Sequence, residues 1–228
     1  MLAACEQVEL SFADELHACG ERVRYVYFPT RSFISLIVPV DVTASLEVGL
    51  VGDEGMVGTS LLLGVSTTPL RAIVQGAGPA LRMGTDAFLD VLERNAAIQR
   101  RLDRYLFVQL AQLAQTAACT RFHLVEARLA RWLLMTQDRA HADAFRLTQE
   151  FLAAMLGVRR VGITSAASAL RSRGLIGYVR GGVTVLDRRG LEKASCVCYE
   201  ADRRTYARIL ETPQPAHSVA HDRRQRRI

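Results

Sequence analysis

Two arginines stand side by side at Arg159-Arg160, between the apolar stretch FLAAMLGV (151–158) and the small polar run VGITSAASALRS (161–172). A guanidinium is always charged and presents a planar fork of donors, which fits phosphate oxygens or the O6/N7 edge of guanine. Five thiols form the second reactive set: Cys5, Cys19, Cys119, Cys196 and Cys198. Their number is odd and their spacing irregular, which argues against a disulfide framework. Cys196-Val-Cys198 is not the C-x-x-C of a zinc knuckle or a redox pair, so the thiols read as structural and no metal is expected. There is no Gly-x-Ser-x-Gly, no P-loop and no carboxylate pair spaced for acid–base work, so the chain does not read as an enzyme.

The arginines need an element to aim them. Thr148 is suited to cap a helix whose apolar face is Phe151, Leu152, Met155 and Leu156. Gly157 then allows a tight connection, Val158 anchors it, and a second helix follows from about Arg159 to Ser172. Two short helices joined at a glycine form the helix-turn-helix pattern. At about 100° per residue, Ile163, Ala166, Ala167 and Leu170 make the buried face of the second helix. Val161, Ser165, Ser168 and Ser172 lie opposite, with Arg160 and Thr164 at one flank. That outer face is slim enough for a major groove about 12 Å wide. The expected base-contacting set is Arg160, Val161, Thr164, Ser165 and Ser168; Arg159, Thr148 and Gln149 are placed for phosphate. LIGYVRGGVTVLD (175–187) adds two strands with a Gly181-Gly182 turn.

Charge points the same way. The formal net charge of +6 on 228 residues conceals a split. Residues 1–120 carry 9 Arg and 13 Asp/Glu, whereas residues 121–228 carry 20 Arg/Lys and 10 Asp/Glu. A basic second half is the electrostatic footprint of a polyanion binder. Half the residues are hydrophobic, which fits a globular chain. No apolar run approaches the roughly 20 residues of a membrane span, and MLAACEQVEL does not read as a signal peptide, so the cytoplasm is the expected compartment.

The first half should position something else. RVRYVYFP (22–29), SFISLIVP (32–39), ASLEVGLVG (44–52) and RAIVQGAG (71–78) are rich in Val, Ile, Tyr and Phe, and turn residues bound them. Such spacing predicts an antiparallel roll or barrel. From Thr85 to Ala117 there is no Pro or Gly, and Ile98, Leu102, Tyr105, Leu106, Leu110, Leu113 and Ala117 fall on a broad helical stripe. Packing that helix on a second copy would bury the stripe. HLVEARLARWLLMTQ (123–137) and LEKASCVCYEADRRTYARILE (191–211) read as further helices. The expected class is α+β, with a β-roll domain at 1–84, to which the resemblance described next assigns an effector-sensing role, and a long dimerisation helix at 85–120. A winged helix-turn-helix domain at 121–212 and a basic disordered tail at 213–228 complete it.

YFP (27–29), EVGLVGDEGMVG (47–58), LTQEFLAAMLGVRR (147–160) and the following RGLI with its glycine turn together resemble the Crp/Fnr family of bacterial transcription regulators. The resemblance spans nearly the whole chain. It implies a homodimer on a palindromic operator with half-sites about one helical turn apart. It also implies an effector in the roll and RNA polymerase as a partner. Arginine at the place of Arg160 commonly contacts guanine in the family, while a Glu usual one residue on is here Val161, and a later Arg or Ser is Ser165. The operator should therefore differ from the best-known family sites.

In the roll, the resemblance places the effector pocket at Gly58, Thr59, Ser60, Arg71 and Ala72. Members that bind cyclic AMP carry a Glu where this chain has Thr59, and an Arg-Ser pair where it has Leu70-Arg71. Arg71 is thus shifted by one residue, which turns a strand side chain to the other face. Cyclic AMP and other cofactors are accordingly not expected, and the effector stays unnamed. Cys5 and Cys19 do not reproduce an iron–sulfur ligand cluster, and His17 and His123 read as structural rather than haem-binding. The competing reading is a ligand sensor whose C-terminal helices act through protein contacts, against which the Arg159-Arg160 pair speaks.

Overall fold

The computed structural model describes residues 4–41, 44–179 and 181–211. The expected tail at 213–228 lies outside them. Among the described residues, seven strands form the first half: β1 (Glu6–Leu10), β2 (Glu15–His17), β3 (Tyr25–Pro29), β4 (Phe33–Pro39), β5 (Ser45–Val51), β6 (Arg71–Gly76) and β7 (Gly78–Gly84). They make two antiparallel sheets, ordered β1-β7-β3 and β2-β6-β4-β5. Leu10, Val26, Ile34, Met56, Val74 and Met83 fill the space between them. The four runs expected from composition correspond to β3, β4, β5 and β6. The sequence reading missed β1, β2 and β7, whose short or Gly/Pro/Arg-containing segments (EQVEL, ELH, GPALRMG) lack a clean alternation.

The single helix expected over 85–120 is two. α1 (Thr85–Arg94) ends at Asn95, and α2 (Ala96–Phe122) starts there. Asn95 Oδ1 accepts the amides of Ala97 and Ile98 at 3.2 and 3.1 Å, so an N-cap interrupts the chain without help from Gly or Pro. The stripe also divides. Tyr105, Val108 and Gln112 are buried against the roll, whereas Phe107, Leu110 and Leu113 are exposed. The helix is apolar on two sides rather than one.

α3 (Val125–Ala140) begins two residues beyond α2 and is buried along most of its length. Then follow β8 (Ala144–Arg146), α4 (Gln149–Leu156), α5 (Arg160–Ser172), β9 (Ile176–Val179) and β10 (Gly182–Val185), with a small sheet ordered β8-β10-β9. Leu129, Leu133, Leu152, Ile163, Leu170 and Val183 belong to the core beneath these elements. The one helix expected over 191–211 is also broken, into α6 (Arg188–Ala194), α7 (Cys198–Tyr206) and a π turn at Ala207–Glu211. Ser195 closes α6 in extended backbone, and Asp187 caps its start through Gly190 N at 2.9 Å.

The two halves interlock. Trp132 Nε1 of α3 donates to Glu47 Oε1 of β5 at 2.9 Å. Arg139 of α3 donates to Glu54 at 2.9 Å and to Tyr206 Oη at 2.8 Å. Gly55 lies so close to α2 that an added Cβ would fall 1.9 Å from the Tyr105 ring. The loop after β5 thus touches α2, α3 and the C-terminal segment at once.

Candidate nucleic-acid interface

Thr148 caps α4 as its sequence implies: its Oγ1 accepts the Phe151 amide at 3.1 Å. Gly157 then turns with φ +60°, and its amide and that of Val158 close on Ala154 O and Ala153 O, a Schellman end that a Cβ-bearing residue adopts at a cost. α5 starts at Arg160, with Arg159 as its N-cap residue, one position later than expected. Ile163, Ala166, Ala167 and Leu170 are buried, and Arg160, Val161, Thr164, Ser165 and Ser168 are exposed. All five expected base-contacting residues therefore share the solvent side of one helix. Val161 is 72% exposed, open to anything that approaches that side.

The phosphate set is close by but partly engaged. Arg159 is exposed beside α5. Gln149 Oε1 accepts from Thr164 Oγ1 at 2.9 Å, so the first turn of α4 is tied to the outer face of α5. The Thr148 oxygen serves its cap and retains its own proton to donate. Missed by sequence reasoning was Arg146 on β8, exposed and paired in register with Gly182 of the hairpin. Recognising β8 would have put it at the edge of the wing.

Not all of the basic charge faces outward. Arg128 reaches the Leu156 carbonyl at the end of α4, and Arg131 pairs with Asp202 at 2.7 Å with both side chains buried. Arg139 is buried on Glu54, and Arg188 binds Asp138 and Glu192. These arginines of the basic half hold the domain together. The outward face keeps Arg146, Arg159, Arg160 and Arg171.

In the roll, Gly58, Thr59, Ser60 and Ala72 line one cavity of about 180 Å³ with His17, Leu36 and Leu106. Arg71, assigned to the same pocket from the resemblance, is not there. It lies across β2 and pairs with Glu15 at 2.7 Å, as the one-residue shift in a strand requires. Among the described residues no Asp, Glu, Lys or Arg lines the cavity. His17 Nε2 donates to Tyr25 O at 2.8 Å, and burial holds its pKa below the usual imidazole range. Ser60 Oγ is buried without a partner among the described residues. Thr59 Oγ1 donates to Gln109 Oε1 at 2.8 Å, and Gln109 Nε2 donates to Tyr105 Oη at 3.1 Å. The cavity wall is thereby hydrogen-bonded to α2.

Comparison with known proteins agrees with this geometry. Residues 127–194 match the family model described as the Crp-like helix-turn-helix domain. The fold is shared with FixK2 from Bradyrhizobium japonicum, at 15% identity and TM-score 0.71 over 84% of this chain and 98% of that one. It is also shared with TTHB099 from Thermus thermophilus, a transcriptional regulator of the CRP family, at 18% identity and TM-score 0.69 over 82% and 96%. The regulator CLP from Xanthomonas campestris aligns at 18% identity and TM-score 0.67 over 81% and 95%. No curated protein matches the sequence. Residues 127–194 therefore carry a Crp-like helix-turn-helix domain, and the chain shares the overall fold of these regulators. Among the described residues no helix is long and apolar enough to cross a membrane.

Proposed function

We propose that the protein acts as a homodimer that reads a palindromic operator through α5, in the cytoplasm, with RNA polymerase as a further partner. The observation that carries the reading is the exposed row of Arg160, Val161, Thr164, Ser165 and Ser168, set on a helix whose opposite side is closed by Ile163 and Leu170. Arg160 sits in the first turn, where such helices meet base edges, and would bond guanine O6 and N7. Val161 offers no acceptor to cytosine but can meet a thymine methyl. Arg159, Arg146, Thr148 and Gln149 would grip phosphates on either side and set the register.

The dimer rests on α2. Phe107, Leu110 and Leu113 are 51, 55 and 43% exposed, on a helix already packed against its own roll by Tyr105 and Val108. A second copy is the occupant that the two-fold symmetry of a palindrome calls for.

The effector reading narrows as well. A cavity lined by no cation among the described residues lacks the charge-assisted bonds a cyclic phosphate needs, and its volume is below the roughly 300 Å³ where drug-sized ligand sites begin. A small neutral ligand that hydrogen-bonds Ser60 would fit, and the Thr59–Gln109–Tyr105 chain would report its presence to α2. Selection of bound sequences from a random duplex pool by the purified full-length protein tests the central reading. Recovery of an inverted repeat supports it; recovery of unselected sequence refutes it.

A further inference from the structure

Four metal-ligating side chains from distant parts of the chain meet behind the DNA-binding unit. Cys119 lies in the last turn of α2, and His123 follows it by four residues, on the same side of the helix end. Cys196 and Cys198 flank the start of α7, both turned inward while Val197 between them is 77% exposed. Cys119 Sγ is 3.5 Å from Cys196 Sγ, and Cys198 Sγ is 3.4 Å from His123 Nδ1. All four ligand atoms lie within 4.8 Å of one another.

We propose that Cys119, His123, Cys196 and Cys198 form a structural binding site for a tetrahedral divalent metal of the zinc class, which clamps α7 to the end of α2. Zn–S bonds of about 2.3 Å and Zn–N bonds of about 2.0–2.1 Å give a tetrahedron with edges of roughly 3.5–3.8 Å. The two short separations already have that size, and the longest closes by about an ångström when the metal enters. Three soft donors and one imidazole select zinc over hard cations, which prefer oxygen. A disulfide between Cys119 and Cys196 would use two of the four groups and account for neither His123 nor Cys198.

The surroundings suit the charge of such a centre. Three thiolates around a divalent ion leave one negative charge, and Arg128 and Arg131 line a small cavity together with Cys119. Gln115 Nε2 donates to Cys198 Sγ at 2.9 Å, the kind of outer hydrogen bond that orients a thiolate ligand. Cys119, Cys196 and Cys198 are all buried, with Ala127 packed on them, and His123 is half-buried. The sequence reading counted these thiols as structural because Cys196-Val-Cys198 lacks C-x-x-C spacing. The other two ligands come from more than 70 residues upstream, and only the fold of α7 onto α2 brings them in. His123 also occupies the junction between α2 and α3. A bound metal would therefore fix the helix-turn-helix unit relative to α2, whether or not α5 reads DNA as proposed above.

Metal analysis of the reduced full-length protein, with Co²⁺ substitution as the spectroscopic probe, tests the site. The expected result is one zinc per chain after equilibration with zinc and removal of excess. The cobalt form should show intense visible bands of a tetrahedral centre and thiolate-to-cobalt charge transfer. Cys196→Ser should weaken zinc binding by more than the roughly 10–100-fold that loss of an outer partner costs, while Cys19→Ser leaves it unchanged. Cys198→His keeps four donors; it should retain metal with weaker thiolate charge transfer, which covers the case where Cys196→Ser does not fold. The proposal is overturned by less than about a tenth of an equivalent of bound zinc, by unaltered binding in Cys196→Ser, or by iron with labile sulfide in place of zinc. A Cys119–Cys196 disulfide that persists under reductant would overturn it too.

Discussion

Trp132 and Glu47 join the two halves of the molecule through one buried hydrogen bond, Nε1 to Oε1 at 2.9 Å. Glu47 is also 2.6 Å from Ser35 Oγ, which lies 2.5 Å from Gln75 Oε1. Ser35 Oγ donates to Glu47 while that carboxyl is ionised; once protonated, the carboxyl can donate to Ser35 instead and free the Ser35 proton for Gln75. Burial pushes the Glu47 carboxyl up to about 7, only partly offset by the hydrogen bonds from Ser35 and Trp132. The folded state thus holds this proton more tightly than the unfolded chain.

A raised carboxyl pKa sets the sign of the pH dependence. The folded state binds more protons than the unfolded state between the ordinary carboxylate range and about pH 7, so stability falls as pH rises through that window. The loss is at most about 1.4 kcal/mol per pH unit for one group. Glu47→Gln keeps an acceptor for Trp132 and a donor for Ser35 without the titration. Its thermal melts should match the wild type near pH 5 and exceed it near pH 8.5; equal pH slopes for the two proteins would refute the assignment.

Gly55 is fixed by what stands above it. A Cβ there would lie 1.9 Å from Tyr105 Cζ, and Tyr105 is fully buried at 2% exposure. Neither ring nor backbone has room to yield, so Gly55→Ala should destabilise the protein by about 1–3 kcal/mol. Urea denaturation checks this, and an unshifted midpoint would mean that the loop moves freely off α2.

The outer side of α2 makes a prediction about assembly. Phe107 and Leu110 would each bury about 1.5–3 kcal/mol of apolar transfer energy in a dimer, on both subunits. Replacing both with Glu should raise the dimer dissociation constant by about 100-fold or more, read by sedimentation equilibrium, while the melting of each chain's roll is preserved. A dimer that survives this change uses another surface.

Local chemistry explains which parts of this structure were legible beforehand. The α4–Gly157–α5 unit could be read residue by residue, because its cap, its left-handed turn and its 3.6-residue apolar spacing are all local signals. The alternation that turns Arg71 away was just as local, yet the resemblance still put Arg71 in the pocket, which it does not line. The break at Asn95 was hidden because an N-cap asparagine inside a helix-forming run carries no stronger mark than its neighbours. β8 is three residues long, and it is defined by pairing with β10 rather than by its own composition. The arginines of α3 looked like surface charge until Asp202 and Glu54, 71 and 85 residues away, proved to be their partners. Contacts made at such separation leave no periodic trace in the chain.

The central claim is that α5 reads base edges through Arg160. Binding of the selected duplex, followed by fluorescence anisotropy across a salt series, tests it most directly. Arg160→Ala should lose roughly 1–3 kcal/mol of discrimination at one symmetric pair of guanines, about 10–100-fold, with the dimer intact and the salt slope little changed. Arg159→Ala should instead weaken all sequences alike and lower the slope by about one phosphate's worth. If Arg160→Ala binds the operator and its guanine-substituted variants with the same ratio as the wild type, α5 does not read the sequence and the account fails.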